Sequence, residues 1–350
     1  MKQIALVGTY PPPIGGVSIH IYRLRQALIQ RGMDVVVYDT SVSKGGEEGI
    51  IPGASRRMLF TRLFSSPAGI IHYHNHDWMM RAMLLLLRPF SKKVIFTLHS
   101  FRDDLDTASP LNKVLLHMVA RYGDSFIATN NEIKEKLIRI GASSDKVKVI
   151  PAFLPPQLSS GDFGSVPDSV SAFMKSHDPL ISANAYQISF FQGEDLYGID
   201  LCIDLCYALK KIWAEVGLIF CLPTIGDPTY FSKLQTRIHD LDIDKNFLFV
   251  TGSVNLPPIL KQSDLFIRPT NTDSYGVSIA EALYLGTPAI ASDVCERPTG
   301  TMLFPSRNLD ELIRLSKKML EDLKSGKLER KSYLHDVDYL QPILEIYQSI

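Results

Sequence analysis

Residues 264–293 read DLFIRPTNTDSYGVSIAEALYLGTPAIASD, and this stretch decides the fold. Its first apolar residues predict a short strand, which Pro269 ends because proline cannot continue a hydrogen-bonded ladder. Residues 278–285 have helical character, and Gly286 is a usual residue just after a helix. The apolar residues that follow predict a second buried strand. A loop leading into a helix N-terminus is a common anion-binding arrangement in α/β proteins, because free N–H groups and the helix dipole attract negative charge.

Two acidic residues in this stretch, Asp273 and Glu281, have seven residues between them. With Gly276 and the nearby Glu-Ala and Gly-x-Pro positions, they resemble the E-x7-E motif of retaining GT-B glycosyltransferases of family 4, with Asp in place of the first Glu. The resemblance implies an α/β fold of two Rossmann-like domains facing across a cleft. It implies that Glu281 holds the donor's ribose and Asp273 the sugar hydroxyls. The backbone around Gly276, Val277 and Ser278 is then predicted to bind the donor.

The domain organisation follows from strands that alternate with helices along the whole chain, as in parallel sheets with helices on both faces. We predict an N-terminal Rossmann-like, acceptor-side domain over 1–150 and a C-terminal nucleotide-sugar-binding domain over 179–335. The Pro-, Ser- and Gly-rich residues 151–178 are predicted to be a linker. Residues 336–350 carry apolar side chains at helical spacing, and the resemblance implies a final helix that packs back toward the N-terminal domain.

Two features of the first half match the same family. Gly15 and Gly16 precede a helix and let the backbone approach a ligand closely, although the loop is not a G-x-G-x-x-G dinucleotide fingerprint. The resemblance assigns this Gly-Gly loop to the donor diphosphate. His99 follows a predicted strand and matches the family's histidine that contacts the transferred sugar; a structural histidine is the alternative.

No metal or other cofactor is predicted. His72, His74 and His76 alternate along a predicted strand and its end, but no acidic residue accompanies them in a known metal-binding motif. Asp104-Leu-Asp106 has the D-x-D pattern of a different glycosyltransferase fold. This pattern is short enough to arise by chance, and we interpret it as a loop and helix start. The co-substrate is expected to be a nucleotide-sugar, used without a metal ion.

One departure from the family concerns its two cations. Asn184 stands where the family has Arg, and Tyr197 stands where it has Lys. A leaving diphosphate needs positive charge, so both losses must be offset. Arg268 and Arg297 follow strands near the acidic loop and are the predicted replacements. The alternative is that Arg268 pairs with Asp273 and only holds the loop.

Composition and charge limit the remaining choices. The 350-residue chain is 45% hydrophobic with zero formal net charge, yet residues 1–150 hold 20 Lys and Arg against 12 Asp and Glu. This basic half suggests contact with an anionic surface, such as the inner face of a membrane, through the N-terminal domain. No nucleic-acid-reading motif is present, so nucleic acid is not predicted as a partner. We expect a cytoplasmic chain, because the N-terminal apolar stretch is too short for a signal peptide.

The sequence thus predicts a metal-independent retaining glycosyltransferase of cell-surface polysaccharide or glycolipid synthesis. Its acceptor is expected to be a saccharide, a lipid-linked saccharide or a small molecule. Two alternatives remain open: a nucleotide-sugar epimerase, and a catalytically silent sugar-nucleotide-binding protein. The second is motivated by the missing Arg and Lys.

Overall fold

The computed structural model describes residues 2–12, 15–41, 47–53, 55–101, 109–156, 158, 166–252, 255–332, 334 and 337–350. The chain divides into two compact α/β units. The first unit comprises Met1–Leu154 and Asp338–Ile350, and the second comprises Pro155–Val337.

The first unit is built on a seven-stranded sheet with the order β3-β2-β1-β4-β5-β6-β7. Its strands are β1 (Ile4–Gly8), β2 (Val35–Asp39), β3 (Ile50–Pro52), β4 (Ile70–Tyr73), β5 (Lys93–Leu98), β6 (Ser125–Ala128) and β7 (Val147–Val149). All neighbouring pairs are parallel. Every residue of β1 and β4 is buried. These strands are continuous apolar runs because helices cover both faces of a parallel sheet.

The helices of the first unit include one from the end of the chain. They are α1 (Gly16–Gln30), α2 (Arg56–Ser65), α3 (Trp78–Leu85), α4 (Pro110–Tyr122), α5 (Asn131–Arg139) and the C-terminal helix (Gln341–Ser349). Apolar side chains of the C-terminal helix, among them Ile343 and Tyr347, are buried in one cluster with Ile4 and Leu6 of β1. The end of the chain is therefore part of this unit's core.

The second unit has a six-stranded parallel sheet with the order β12-β11-β8-β13-β14-β15. Its strands, with a short antiparallel pair β9-β10, are β8 (Leu180–Asn184), β9 (Phe190–Phe191), β10 (Glu194–Asp195), β11 (Gly217–Leu222), β12 (Phe247–Thr251), β13 (Leu265–Arg268), β14 (Ala289–Ser292) and β15 (Met302–Phe304). Its helices are α6 (Asp168–Ser176), α7 (Ile199–Lys210), α8 (Pro228–Asp240), α9 (Leu256–Gln262), α10 (Val277–Tyr284) and α11 (Leu309–Lys324).

The segment 151–178, predicted as a linker, differs from that expectation because it contains helix α6. Val166, Val170 and Met174 are spaced by four residues and are buried in a cluster of the second unit. Val170 and Met174 lie on one face of α6, and Val166 precedes the helix. This spacing was a signal that the overall Pro, Ser and Gly content obscured. Across the described part of the chain, every helix is too short or too polar to cross a membrane.

Candidate functional site

The sheet of the second unit places its predicted site residues at one edge. β8 is the first strand of this sheet, with β11 and β12 on one side and β13, β14 and β15 on the other. The boundary between β8 and β13 is therefore the topological switch point, where open α/β sheets bind ligands beyond the carboxyl ends of their strands. Asn184 is the last residue of β8, and Arg268 is the last residue of β13.

Asp273 holds two arginines at this edge. Its Oδ2 atom accepts from Arg268 Nε and from Arg297 Nη1, both at 2.8 Å. Its Oδ1 atom accepts from the backbone N–H of Ser274. Burial alone would raise the pKa of Asp273, but the two guanidinium groups outweigh it and hold this pKa well below the usual range. The carboxylate is therefore ionised at any physiological pH.

Arg268 contacts both positions at which the chain lacks the family's cations. Its Nη1 atom lies 3.2 Å from Asn184 Oδ1 and 3.3 Å from the Asn184 carbonyl oxygen. Its guanidinium carbon lies 5.5 Å from the centre of the Tyr197 ring. The side chain is 13% exposed, and Nη2 donates to no acceptor among the described residues. Arg268 therefore combines a fixed position with N–H groups left for a ligand.

Arg297 is held differently. Its side chain is 1% exposed, and it donates to Asp273, to the carbonyl and hydroxyl oxygens of Ser292, and to the hydroxyl of Thr270. These bonds use four of its five N–H groups. Arg297 therefore holds Asp273 and the loop in place, whereas Arg268 keeps its Nη2 unused among the described residues. Sequence analysis predicted both arginines as replacements for the missing cations, and their different exposure now distinguishes their contacts.

Helix α10 begins next to this cluster without a side-chain cap. Gly276 precedes it with φ +88°, and a Cβ atom there would lie 2.5 Å from Ile279 Cδ1 and 3.1 Å from Arg297 Nη1. Only glycine meets both the backbone angle and the space. In the described chain, the N–H groups of Val277 and Ser278 find no acceptor. Glu281, one turn further along, is 5% exposed.

Helix α7 has the opposite arrangement at its N-terminus. The carboxylate of Asp195 accepts from the backbone N–H groups of Tyr197, Gly198 and Ile199. Burial, aided by the charge of Asp200, raises the pKa of Asp195 to about 6. Asp195 thus occupies one helix N-terminus and orients the Tyr197 loop, whereas the N-terminus of α10 stays available. Sequence analysis missed Asp195; its place three residues before a glycine at a helix start was the available signal.

In the first unit, three histidines meet at the carboxyl ends of the strands. One ring nitrogen from each of His20, His74 and His99 lies within 4.8 Å of the other two. His74 Nδ1 lies 3.2 Å from His99 Nε2, and His20 Nδ1 lies 3.2 Å from the carbonyl oxygen of Ala152. Sequence analysis missed His20, although its place on α1 directly after the Gly-Gly loop pointed to this edge.

These imidazoles are neutral at physiological pH. Burial lowers the pKa of His20 to about 4, and it lowers those of His74 and His99 well below the ordinary value. Three imidazoles could ligate a transition metal. In this structure, however, His74 Nδ1 and His99 Nε2 are hydrogen-bonded to each other at 3.2 Å. His72 lies on the same side of the strand as His74, as predicted, with its ring 4.1 Å away.

The Gly-Gly loop stands at the start of α1. Gly15 is extended, and its N–H donates to the hydroxyl of Ser18 at 2.8 Å. A Cβ atom at Gly16 would meet nothing within 4 Å, so this residue faces open space. The Asp104–Asp106 motif lies outside the described residues.

Comparisons with known proteins match both halves of the chain. Residues 14–158 match the model described as Glycosyltransferase Family 4, and residues 197–322 match Glycosyl transferases group 1. D-inositol 3-phosphate glycosyltransferase of Xylanimonas cellulosilytica is 22% identical over 83% of this chain and 80% of its own length. Lipopolysaccharide core biosynthesis mannosyltransferase LpsB of Rhizobium meliloti is 31% identical over 28% of each chain.

Solved structures agree on the fold. The crystal structure of HepE from Anabaena in complex with UDP has a TM-score of 0.69 and 15% identity, covering 100% of both chains. The two family matches together span more than half of the sequence, and both parallel-sheet units have the architecture that the resemblance predicted. The chain is therefore a glycosyltransferase of the family 4 type with the GT-B fold.

Proposed function

We propose that the protein transfers a sugar from a nucleotide-sugar donor to a hydroxyl acceptor with retention of the anomeric configuration. The observation that carries the proposal is the charge at the switch point of the second unit. Arg268 and Arg297 bring two positive charges to the single carboxylate of Asp273. This buried cluster keeps a net charge of about +1, beside the uncapped N-terminus of α10. A diphosphate bound there would neutralise this charge and accept hydrogen bonds from the free N–H groups at the helix N-terminus.

The proposal gives each residue a task. Nη2 of Arg268 and the N–H groups of Val277 and Ser278 bind the diphosphate, and they stabilise the charge that develops as it leaves. Asp273 orients Arg268 and binds the sugar through its Oδ1 atom, which accepts only the N–H of Ser274 among the described residues, and Glu281 holds the ribose. His99 in the first unit contacts the transferred sugar. The acceptor hydroxyl attacks the face from which the diphosphate departs, and a donor phosphate oxygen takes its proton.

Metal independence is part of the proposal. The guanidinium of Arg268 supplies the positive charge that a divalent ion supplies in other phosphoryl-containing sites. Turnover in buffer containing EDTA should therefore equal turnover in buffer with added Mg²⁺ or Mn²⁺. A requirement for either ion would contradict this part.

The relatives support the choice of donor and product class. HepE has been crystallised with UDP and with UDP-glucose, which supports a nucleotide-sugar donor on this fold. The curated relatives include a lipopolysaccharide mannosyltransferase and an inositol phosphate glycosyltransferase, which support a role in glycoconjugate synthesis. We therefore propose a saccharide, lipid-linked or small-molecule acceptor in cell-surface polysaccharide or glycolipid synthesis.

Turnover of radiolabelled donors tests the function. UDP- and GDP-sugars are screened by thermal shift, because a ligand that binds the native state raises its stability. Donors that stabilise the protein are then incubated with lipid-extract and polysaccharide acceptors, and the product anomer is determined by NMR. An inverted product contradicts retention. Binding without turnover across the acceptor panel supports the silent sugar-nucleotide binder, and a changed sugar without transfer supports the epimerase.

We also propose that the first unit contacts an anionic membrane surface on the cytoplasmic side. Phe64 of α2 and Phe90 are 48% and 58% exposed, and their rings pack edge to face at 4.9 Å. Leu86, which directly follows α3, is 63% exposed. Exposed apolar side chains on a basic unit fit the interface of an anionic bilayer. Replacing both phenylalanines with serine should weaken sedimentation with phosphatidylglycerol vesicles, and unchanged sedimentation would contradict the proposal.

A further inference from the structure

The hydrogen bond between His74 and His99 has a direction that the surrounding contacts define. It joins His74 Nδ1 to His99 Nε2 at 3.2 Å. Both rings are neutral because burial lowers the pKa of each well below the ordinary value. A neutral imidazole carries one N–H and one bare lone pair, so one ring donates and the other accepts.

The second nitrogen of His74 decides which ring donates. His74 Nε2 is buried and has no hydrogen-bond partner among the described residues. If His99 were the donor, the proton of His74 would lie on this Nε2, and a buried N–H would be left without an acceptor. If His74 donates from Nδ1, only a bare lone pair is left there. Orphaned N–H groups are rarer in protein interiors than under-used acceptors, so His74 is the donor.

The ring of His74 packs against the ring of His72. His72 lies 4.1 Å from it, centre to centre. His72 is itself fixed at both nitrogens, with Tyr347 Oη at 2.7 Å from Nδ1 and Thr97 Oγ1 at 2.6 Å from Nε2. The C-terminal helix, which carries Tyr347, therefore helps to fix the orientation of His74.

The same bond fixes the protonation of His99. Its Nε2 accepts from His74, so its proton must lie on Nδ1. His99 is partly exposed, and within the described residues Nδ1 has no protein partner. We propose that His74 is a positioning residue that fixes His99 as the Nδ1–H tautomer, so that His99 offers a hydrogen-bond donor to a hydroxyl oxygen of the transferred sugar. This inference rests on the proposed contact between His99 and the sugar.

Nitrogen NMR of the free protein tests the tautomer directly. In protein labelled with ¹⁵N-histidine, long-range proton–nitrogen correlations identify which ring nitrogen of His99 carries the proton, and His99→Asn assigns the signals. We expect Nδ1–H in the wild-type protein. An Nε2–H tautomer overturns the inference, whatever the protein's activity.

Two matched variants of His74 then connect the tautomer to catalysis. His74→Asn retains an amide N–H near the position of Nδ1, whereas His74→Asp offers only acceptor oxygens and should move the proton of His99 to Nε2. We expect kcat/KM to be about 3- to 10-fold lower in the Asp variant than in the Asn variant, the cost of one hydrogen bond. Equal kcat/KM in two folded variants overturns the role in positioning. If the Asp variant does not fold, the wild-type spectrum still decides the tautomer.

The outcomes separate this inference from the proposed function. An Nδ1–H signal together with normal kinetics in His99→Ala means that the tautomer is assigned correctly but that His99 does not serve the sugar. Loss of activity in His99→Ala together with an Nε2–H signal means the reverse.

Discussion

Replacing Arg268 is the sharpest test of how this chain manages without the family's Arg and Lys. Arg268→Ala removes the Nη2 donor and lowers the charge of the cluster around Asp273 from about +1 to zero. A hydrogen bond to a charged group contributes about 1.5–3 kcal/mol. At 1.4 kcal/mol per tenfold, affinity for the nucleoside diphosphate should fall by roughly 10- to 150-fold. Arg268→Lys keeps the charge but loses the planar fork, so we expect it to be damaging as well.

Isothermal titration with UDP and with GDP measures this loss, and kcat/KM with the matching donor measures its effect in the transition state. Arg237→Lys is the matched control, because it changes another arginine of the second unit that pairs with an aspartate, Asp204. The control should bind nucleotide normally. The phosphate role of Arg268 is wrong if both Arg268 variants keep normal affinity and turnover, and Arg268 then only holds the loop through Asp273.

Four further predictions concern the same unit. Asp273→Asn should lower the free energy of unfolding at pH 7; since the pKa of Asp273 is held below its ordinary 3.8, the difference from wild type should persist above pH of about 4 and shrink below it in urea titrations. Because burial raises the pKa of Asp195 to about 6, the wild type should lose stability as pH rises from 4 to 6, and Asp195→Asn should flatten this slope. Gly276→Ala, strained by φ +88° and the 2.5 Å approach to Ile279, should lower the melting temperature and nucleotide affinity together; a change in neither would contradict the role of this turn. Glu281→Gln should weaken nucleotide binding in the same titrations, and unchanged affinity would argue against its ribose contact.

The sequence predicted the alternation of strands and helices because the strands are continuous apolar runs between turn residues. β13 and β14 form at the apolar residues within 264–293 that predicted them. The sequence did not predict α6, whose buried face is only two residues, or β3, a three-residue edge strand. Short elements carry too little periodicity to stand out from polar surroundings, and tertiary packing fixes them.

The candidate site was predicted only as far as position along strands allows. The sequence predicted that Arg268 ends a strand. It did not predict its contact with Asn184, which arises because the carboxyl ends of adjacent parallel strands lie together. Spacing could not show that Arg297 would donate to Ser292 and Thr270, because that depends on how the loop after β14 folds back. It also could not show that His20 would meet His74 and His99, which come from different elements.

The contacts of Arg268 show how a single side chain reaches both positions at which the family's cations are missing. Asn184 and Tyr197 come from separate segments, yet both contact the same guanidinium. Arg268, at the end of the neighbouring strand β13, reaches between these two residues. An arginine at position 184 would lie close to Arg268, and the two positive charges would repel each other. Asn184 instead accepts a hydrogen bond from Arg268, and Tyr197 offers a ring toward it. The three residues therefore form one arrangement, and restoring Arg at position 184 alone should disturb this site.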